Sequence, residues 1–153
     1  MSGEVDGREK LEVLVAAVKN NPQLAPSVRR QALDVAENME REDDPAVYAV
    51  ALHITALCEV IDPAMDDMTG AIEYLMEATA VSVVASLPLE FVSCMRLLPA
   101  VFNRQQDLNR EKIMRAAKED EEEDVKSRVA KIGEDVLRQI MEMGEKSDGA
   151  DLG

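Results

Sequence analysis

The sequence is poor in the residue types that most often build catalytic and metal-binding sites. Its 153 residues include one histidine, two cysteines and no tryptophan, and aromatic residues make up only 3%. These numbers are too small for a histidine-rich or cysteine-rich metal site, or for a disulfide framework. The sequence also lacks a nucleophile–base pair, a phosphate-binding loop, a dinucleotide fingerprint and zinc-ligand spacing. We therefore expect that the protein is not an enzyme and uses no cofactor.

Basic residues are scarce as well. Lysine and arginine total 17 against 31 acidic residues, and the formal net charge is −14. Nucleic acids and anionic membranes are polyanions that bind basic patches, so we expect neither as a direct partner. Residues 31–95 hold 13 acids and a single base, Arg41, for a net charge of −12. This excess leaves two alternatives: an acidic chaperone or nucleic-acid mimic that holds basic proteins, or adaptation of the whole proteome to salt or heat.

The third scarcity is of long apolar runs. The longest uncharged segments, 46–58 and 78–89, fall well short of the ~20 residues needed to cross a bilayer. The first residues lack the charged-then-apolar layout of a signal peptide. Without that signal, Cys58 and Cys94 are interpreted as buried thiols rather than as a disulfide. These features predict a cytoplasmic protein.

The pattern that is present is helical, and it predicts an all-α fold. We expect a bundle of about five helices over 1–107, a long helix over 108–145 and a disordered tail over 146–153. Helix starts are predicted at Pro26, at Asp44-Pro45 and at Asp62-Pro63, where proline suits the first turn and aspartate the cap. A short fifth helix is expected between Pro88 and Pro99, with a kink or a new turn at Pro99.

Two central helices follow from the apolar pattern. Residues 46–58 are uncharged around the whole circumference, which predicts the middle helix of the core. The next helix is expected to bury one stripe of residues: Ile72, Leu75, Met76, Thr79, Val83 and Ser86. A β-branched run at 80–84 could instead form a strand, but no partner strand is visible, so helix is favoured.

Three segments between 26 and 65 carry a resemblance to a known family. They are Pro26-Ser27-Val28-Arg29-Arg30, then Glu42-Asp43-Asp44-Pro45-Ala46-Val47, then Asp62-Pro63-Ala64-Met65. In order and spacing they resemble a family of small acidic archaeal helical proteins of unknown function. The resemblance covers about a third of the chain and implies a compact helical bundle and an archaeal source. The resemblance implies no activity, and the residues that follow Met65 have no counterpart in that family.

Two groups of residues invite a chemical interpretation. His53 is the only histidine, but no serine, cysteine or carboxylate lies three or four residues away, so a core or boundary histidine is favoured over a base or ligand. Asp62, Asp66 and Asp67 are close together, but they lack the glycine and terminal glutamate of a calcium loop. They are better interpreted as helix caps and solvated residues, so no metal site is predicted.

The C-terminal helix carries the most suggestive pattern. Five apolar residues follow the spacing of a heptad repeat, with Ile140 adjacent to it: Val125, Val129, Ile132, Val136 and Met143. We predict a coiled-coil-like seam from 125 onwards that folds back on the bundle, self-associates or binds another protein. The six acids of Glu119–Asp124 precede it and could form a linker or a docking site for a basic partner. The function expected is therefore that of a non-catalytic interaction or assembly protein, homo-oligomeric or bound to a protein partner.

Overall fold

The fold is all-α. This computed structural model describes the backbone of residues 2–152 and the side chains of residues 7–145. No strand occurs within residues 2–152, and the predicted fold class, with its long C-terminal helix, is confirmed. The elements, in chain order, are α1 (Ser2–Asn20), a 3₁₀ helix (Pro22–Leu24), α2 (Ala25–Glu37), α3 (Pro45–Ile61), α4 (Thr69–Val84) and α5 (Pro88–Leu152).

The chain divides into two compact units, Met1–Leu108 and Asn109–Gly153. The first holds α1 to α4 and the beginning of α5, and the second is the remainder of α5. The predicted division lay between residues 107 and 108. The side chains of the expected disordered tail, 146–153, lie outside the described residues, so that expectation stays a prediction.

The prediction of a separate short helix before Pro99 is wrong, because α5 is continuous from Pro88. Proline inside a helix removes one backbone hydrogen bond, here the one that the Met95 carbonyl would accept. No further proline follows Pro99, and the next glycine is Gly133. One missing hydrogen bond, followed by a long stretch without a breaker, does not end the helix.

Helix α3 is the centre of the first unit, as its uncharged sequence predicts. It packs against α1, α2 and α4. None of its residues is exposed, and nine are fully buried: Val47, Ala49, Ala51, Leu52, Ile54, Thr55, Ala56, Cys58 and Glu59. The Thr55 hydroxyl donates to the Ala51 carbonyl at 2.8 Å, so this buried polar group has a partner within the helix.

Aspartates mark the two ends of α3. Asp44 is the N-cap, and its carboxylate accepts from the Val47 amide at 3.2 Å, as predicted. The next helix was expected to start at Asp62, or with a delay at Asp66 or Asp67, but Asp62 is the C-cap of α3 and accepts from the Ala64 amide at 2.9 Å. Helix α4 starts only at Thr69, where the Asp67 carboxylate accepts from the Thr69 amide at 3.0 Å. An Asp-Pro pair therefore begins a helix in the first case and a turn in the second.

The buried face of α4 also differs from the prediction. Leu75 is buried, but Met76 and Val83 are 65% and 62% exposed. The residues that face the core are Ala71, Leu75, Ala78, Val81 and Ser82. Three of these five side chains, those of Ala71, Ala78 and Ser82, are small and let the helix axes approach closely.

Alanine is a major component of the core. Eight alanines are 4% exposed or less: Ala25, Ala32, Ala36, Ala49, Ala51, Ala56, Ala71 and Ala78. Larger side chains fill the space between them, among them Leu11, Leu14, Ile54 and Leu75. A core built this way needs few aromatic residues to reach close packing.

Candidate functional site

An apolar stripe on α5 is the most prominent exposed surface of the second unit. We call it the C-terminal seam, and it consists of Val125, Val129, Ile132, Val136, Ile140 and Met143. These side chains are between 49% and 69% exposed. At 3.6 residues per turn they fall within about 80° of the helix circumference. Over residues 109–145, every side chain is exposed except that of Asp135, which is half-buried. The predicted seam residues therefore share one side of a helix and remain accessible.

Charged residues border the seam. Arg128 pairs with Asp124 at 3.1 Å, and Arg138 pairs with Asp135 at 2.9 Å. Both pairs lie within one turn of helix, and their four side chains are at least 46% exposed, so each pair contributes less than about 1 kcal/mol. Because these pairs are weak, the two arginines can pair with other carboxylates, and the two aspartates with other basic groups, at little cost in free energy.

The acidic run Glu119–Asp124 is helical throughout and all six side chains are exposed. It does not interrupt α5. Neighbouring carboxylates three and four residues apart repel each other by a few tenths of a kcal/mol. The run therefore favours any arrangement that brings neutral or basic groups beside it.

His53 lines a cleft of about 230 Å³ in the first unit. Exposed Arg8 and Glu12 and the half-buried Glu90 also line it, above buried apolar residues that include Ile54. Burial lowers the pKa of His53, and a hydrogen bond with the Ser93 backbone partly opposes that effect. Burial thus favours the neutral form of the ring. Among the described residues, no carboxylate contributes to this shift, and the cleft shows no histidine–carboxylate pair for acid–base chemistry.

The two cysteines are separate buried thiols, as predicted. Burial raises the pKa of Cys58 to about 11. Burial also raises the pKa of Cys94, against the opposing effect of a hydrogen bond with Thr79. The thiolate is the reactive form of cysteine, so both side chains are poor nucleophiles at neutral pH.

The sequence did not predict the ion pair between Arg29 and the buried Glu59. Glu59 is 1% exposed, and its Oε2 lies 3.6 Å from Nε of Arg29 on α2. This distance is that of an ion pair rather than a hydrogen bond, and neither atom has a hydrogen-bond partner. Burial raises the pKa of Glu59, while the Arg29 guanidinium opposes that rise. The available sequence signal was that Glu59 is the first charge after fourteen uncharged residues of α3.

The remaining carboxylates of interest have structural partners. Asp62 and Asp67 accept backbone hydrogen bonds in the α3–α4 connection. Glu77 on α4 accepts from the Tyr48 hydroxyl of α3 at 2.7 Å, which ties the two helices together. Among the described residues, no group of three or more histidine, cysteine, aspartate or glutamate side chains could hold a metal ion.

The described part of the chain also contains no helix with the length and apolarity required to cross a lipid bilayer.

No protein-family model, curated protein or solved structure matches this chain. The resemblance over residues 26–65 to an acidic archaeal family therefore stays a prediction.

Proposed function

We propose that this chain is a non-catalytic interaction or assembly protein that uses the C-terminal seam to bind a protein surface. The observation that carries the proposal is the exposure of all six seam side chains on one side of α5. Covering apolar side chains releases free energy of roughly 25 cal/mol per Å² of apolar surface removed from water. Unpartnered apolar faces of this kind commonly mark protein–protein contacts.

The chemistry of the first unit is consistent with a non-catalytic role. Burial favours the neutral form of its histidine, no carboxylate among the described residues contributes to that pKa shift, and its thiols are buried. Two polar interactions of this unit, the Tyr48–Glu77 hydrogen bond and the Arg29–Glu59 pair, connect helices to one another. Reduced buried cysteines also suit the cytoplasm, where we place the protein.

The alternative function is that of an acidic chaperone or nucleic-acid mimic for basic proteins. It draws on exposed acids in the first unit: Asp34, Glu37, Glu40, Glu42, Asp43, Asp66, Asp67 and Glu73. Several other acids of the same region already serve the fold, since Asp44 caps α3, Asp62 closes a turn and Glu59 is buried. The acidic excess is thus partly structural, which favours the seam over the charge as the main binding feature.

Co-purification from the native source separates the two functions. The bait is the full chain, either unchanged or carrying Ile132→Glu in the seam. Leu137→Glu is the matched control, because Leu137 is 61% exposed against 62% for Ile132 but lies off the seam. Each bait is used at low and at moderate salt, with helical content checked by circular dichroism.

We expect Ile132→Glu to lose the associated protein, self-association included, while Leu137→Glu keeps it at both salt concentrations. A seam interaction is mainly apolar and should depend little on salt. Binding that survives Ile132→Glu and falls steeply with salt would instead support the acidic chaperone. Equal behaviour of all three baits, with no change between salt concentrations, would refute both functions.

A further inference from the structure

We propose that the occupant of the C-terminal seam is a second copy of this chain, running antiparallel to the first. The inference rests on the proposed function and specifies its partner. In the antiparallel register, Val125 faces Val136 of the second copy and Val129 faces Ile132 of the second copy. Symmetry repeats both layers, so four consecutive apolar layers form between the two helices. All four side chains are about half-exposed or more, and free to form these layers.

The acidic run selects the orientation. In a parallel pair, the six acids of Glu119–Asp124 would lie beside the same six acids of the second copy. In the antiparallel register the run lies beside residues 137–142, which contain one arginine and one glutamate and are neutral overall. Like charges across a helix interface are unfavourable, so the antiparallel arrangement avoids the strongest repulsion available to this helix.

The residues that border the seam support the same register. Arg128 comes beside Asp135 of the second copy, and symmetry creates this opposite-charge pair twice. The small Gly133 comes beside Lys126, where it leaves room for the lysine stem, since nothing lies within 4 Å of the position of an added Cβ. One unfavourable pair, Glu121 with Glu142, falls near each end. A parallel pair would place Arg128 beside Gly133 and leave its charge without a partner across the interface.

Self-association is measured by sedimentation equilibrium of the full chain. We expect a monomer–dimer equilibrium that Ile132→Glu abolishes and that the off-seam control Leu137→Glu leaves unchanged. Both substitutions add the same charge at sites of nearly equal exposure, 62% and 61%. Helical content, followed by circular dichroism, shows whether either variant has lost its fold.

Charge exchange tests the orientation. Arg128→Asp and Asp135→Arg should each weaken the dimer on the order of tenfold, because each creates two like-charge pairs across the interface. The double variant should recover most of that loss. It still lacks the pairs of Arg128 with Asp124 and of Arg138 with Asp135 within the helix. Recovery can therefore come only from pairing between the two chains.

Cysteine cross-linking gives an independent readout. A mixture of Val129→Cys and Ile132→Cys chains should cross-link one variant to the other in the antiparallel dimer. Efficient cross-linking of Val129→Cys to itself would indicate a parallel pair and overturn the inference. The native thiols, Cys58 and Cys94, are buried and do not compete in the folded chain.

The outcomes separate this inference from the proposed function. A strictly monomeric full chain whose seam still captures another protein would overturn self-pairing and leave the interaction function standing. A monomer that captures nothing through the seam would overturn both. A dimer insensitive to Ile132→Glu would overturn the inference and place self-association elsewhere on the chain.

Discussion

Replacing Arg29 with methionine should strongly destabilise the protein at neutral pH, because it leaves the Glu59 carboxylate buried without its counter-charge. The two charges are 3.6 Å apart, which corresponds to roughly 4 to 5 kcal/mol at an effective dielectric constant of about 20. Water screens part of this attraction, since the Arg29 side chain is 34% exposed while that of Glu59 is only 2% exposed. We therefore expect a loss of about 3 kcal/mol in the free energy of unfolding.

The loss should shrink as the pH falls. Burial raises the pKa of Glu59 and Arg29 opposes that rise, so removing Arg29 raises it further. A carboxyl whose pKa is raised in the folded state contributes stability below its unfolded pKa, and that contribution disappears as the pH rises through its folded pKa. At about pH 4, where Glu59 is protonated in the variant, only the lost packing of the arginine stem should remain.

Urea unfolding followed by circular dichroism at neutral and acidic pH measures these differences. Arg30→Met is the matched control, because Arg30 is the neighbouring residue on α2 and is exposed. Its effect should stay within about 0.5 kcal/mol at either pH. The double variant Arg29→Met with Glu59→Gln should recover most of the loss at neutral pH. Equal effects of Arg29→Met and Arg30→Met at neutral pH would refute the assignment of a buried, energetically coupled pair.

Three further predictions concern single positions. Gly70→Ala should lower the free energy of unfolding by about 1 to 3 kcal/mol, because the added Cβ would lie 2.8 Å from a carboxylate oxygen of the buried Glu59. Gly133→Ala should instead raise it by about 1 kcal/mol, because Gly133 lies in an exposed helix with open space around it. Thermal unfolding should therefore show a lower melting temperature for the first variant and a higher one for the second. Tyr48→Phe removes the hydrogen bond to Glu77 and should lower the free energy of urea unfolding by about 1 to 2 kcal/mol. Glu77→Gln removes the charge beside the phenol, so ultraviolet titration should show the Tyr48 pKa falling from about 12. Cys58, with its pKa raised to about 11, should react with a thiol reagent only as fast as the chain unfolds, and fast modification of the folded chain would contradict its burial.

The helical periodicity was sufficient to predict the fold class, the core position of α3 and the cap at Asp44. These features depend on local chemistry: an uncharged circumference requires burial, and a carboxylate before a proline satisfies free amides at a helix start. The predicted buried face of α4 was wrong because apolarity alone does not identify it. Ala78 and Ser82 face inwards, while the more apolar Val83 faces outwards.

The ion pair was missed for a different reason. Arg29 and Glu59 are thirty residues apart in the sequence and meet only because α2 packs on α3. No local pattern predicts such a pairing. The seam, in contrast, is defined by the spacing of apolar residues along one helix and needs no tertiary contact. In the sequence, binding to a second copy is indicated only by the charges beside the seam and by the spacing of its apolar residues.

The alanine-rich core changes which mutations the protein can tolerate. Shortening the side chain of Ala49 or Ala56 to glycine removes only one methyl group. Substitution by valine or leucine at these fully buried positions, in contrast, must push two helices apart. Substitution of these alanines by larger apolar residues, which hydrophobicity scales rank as conservative, is therefore expected to destabilise the first unit most. Close homologues should keep small residues at these positions even where their larger core residues have diverged.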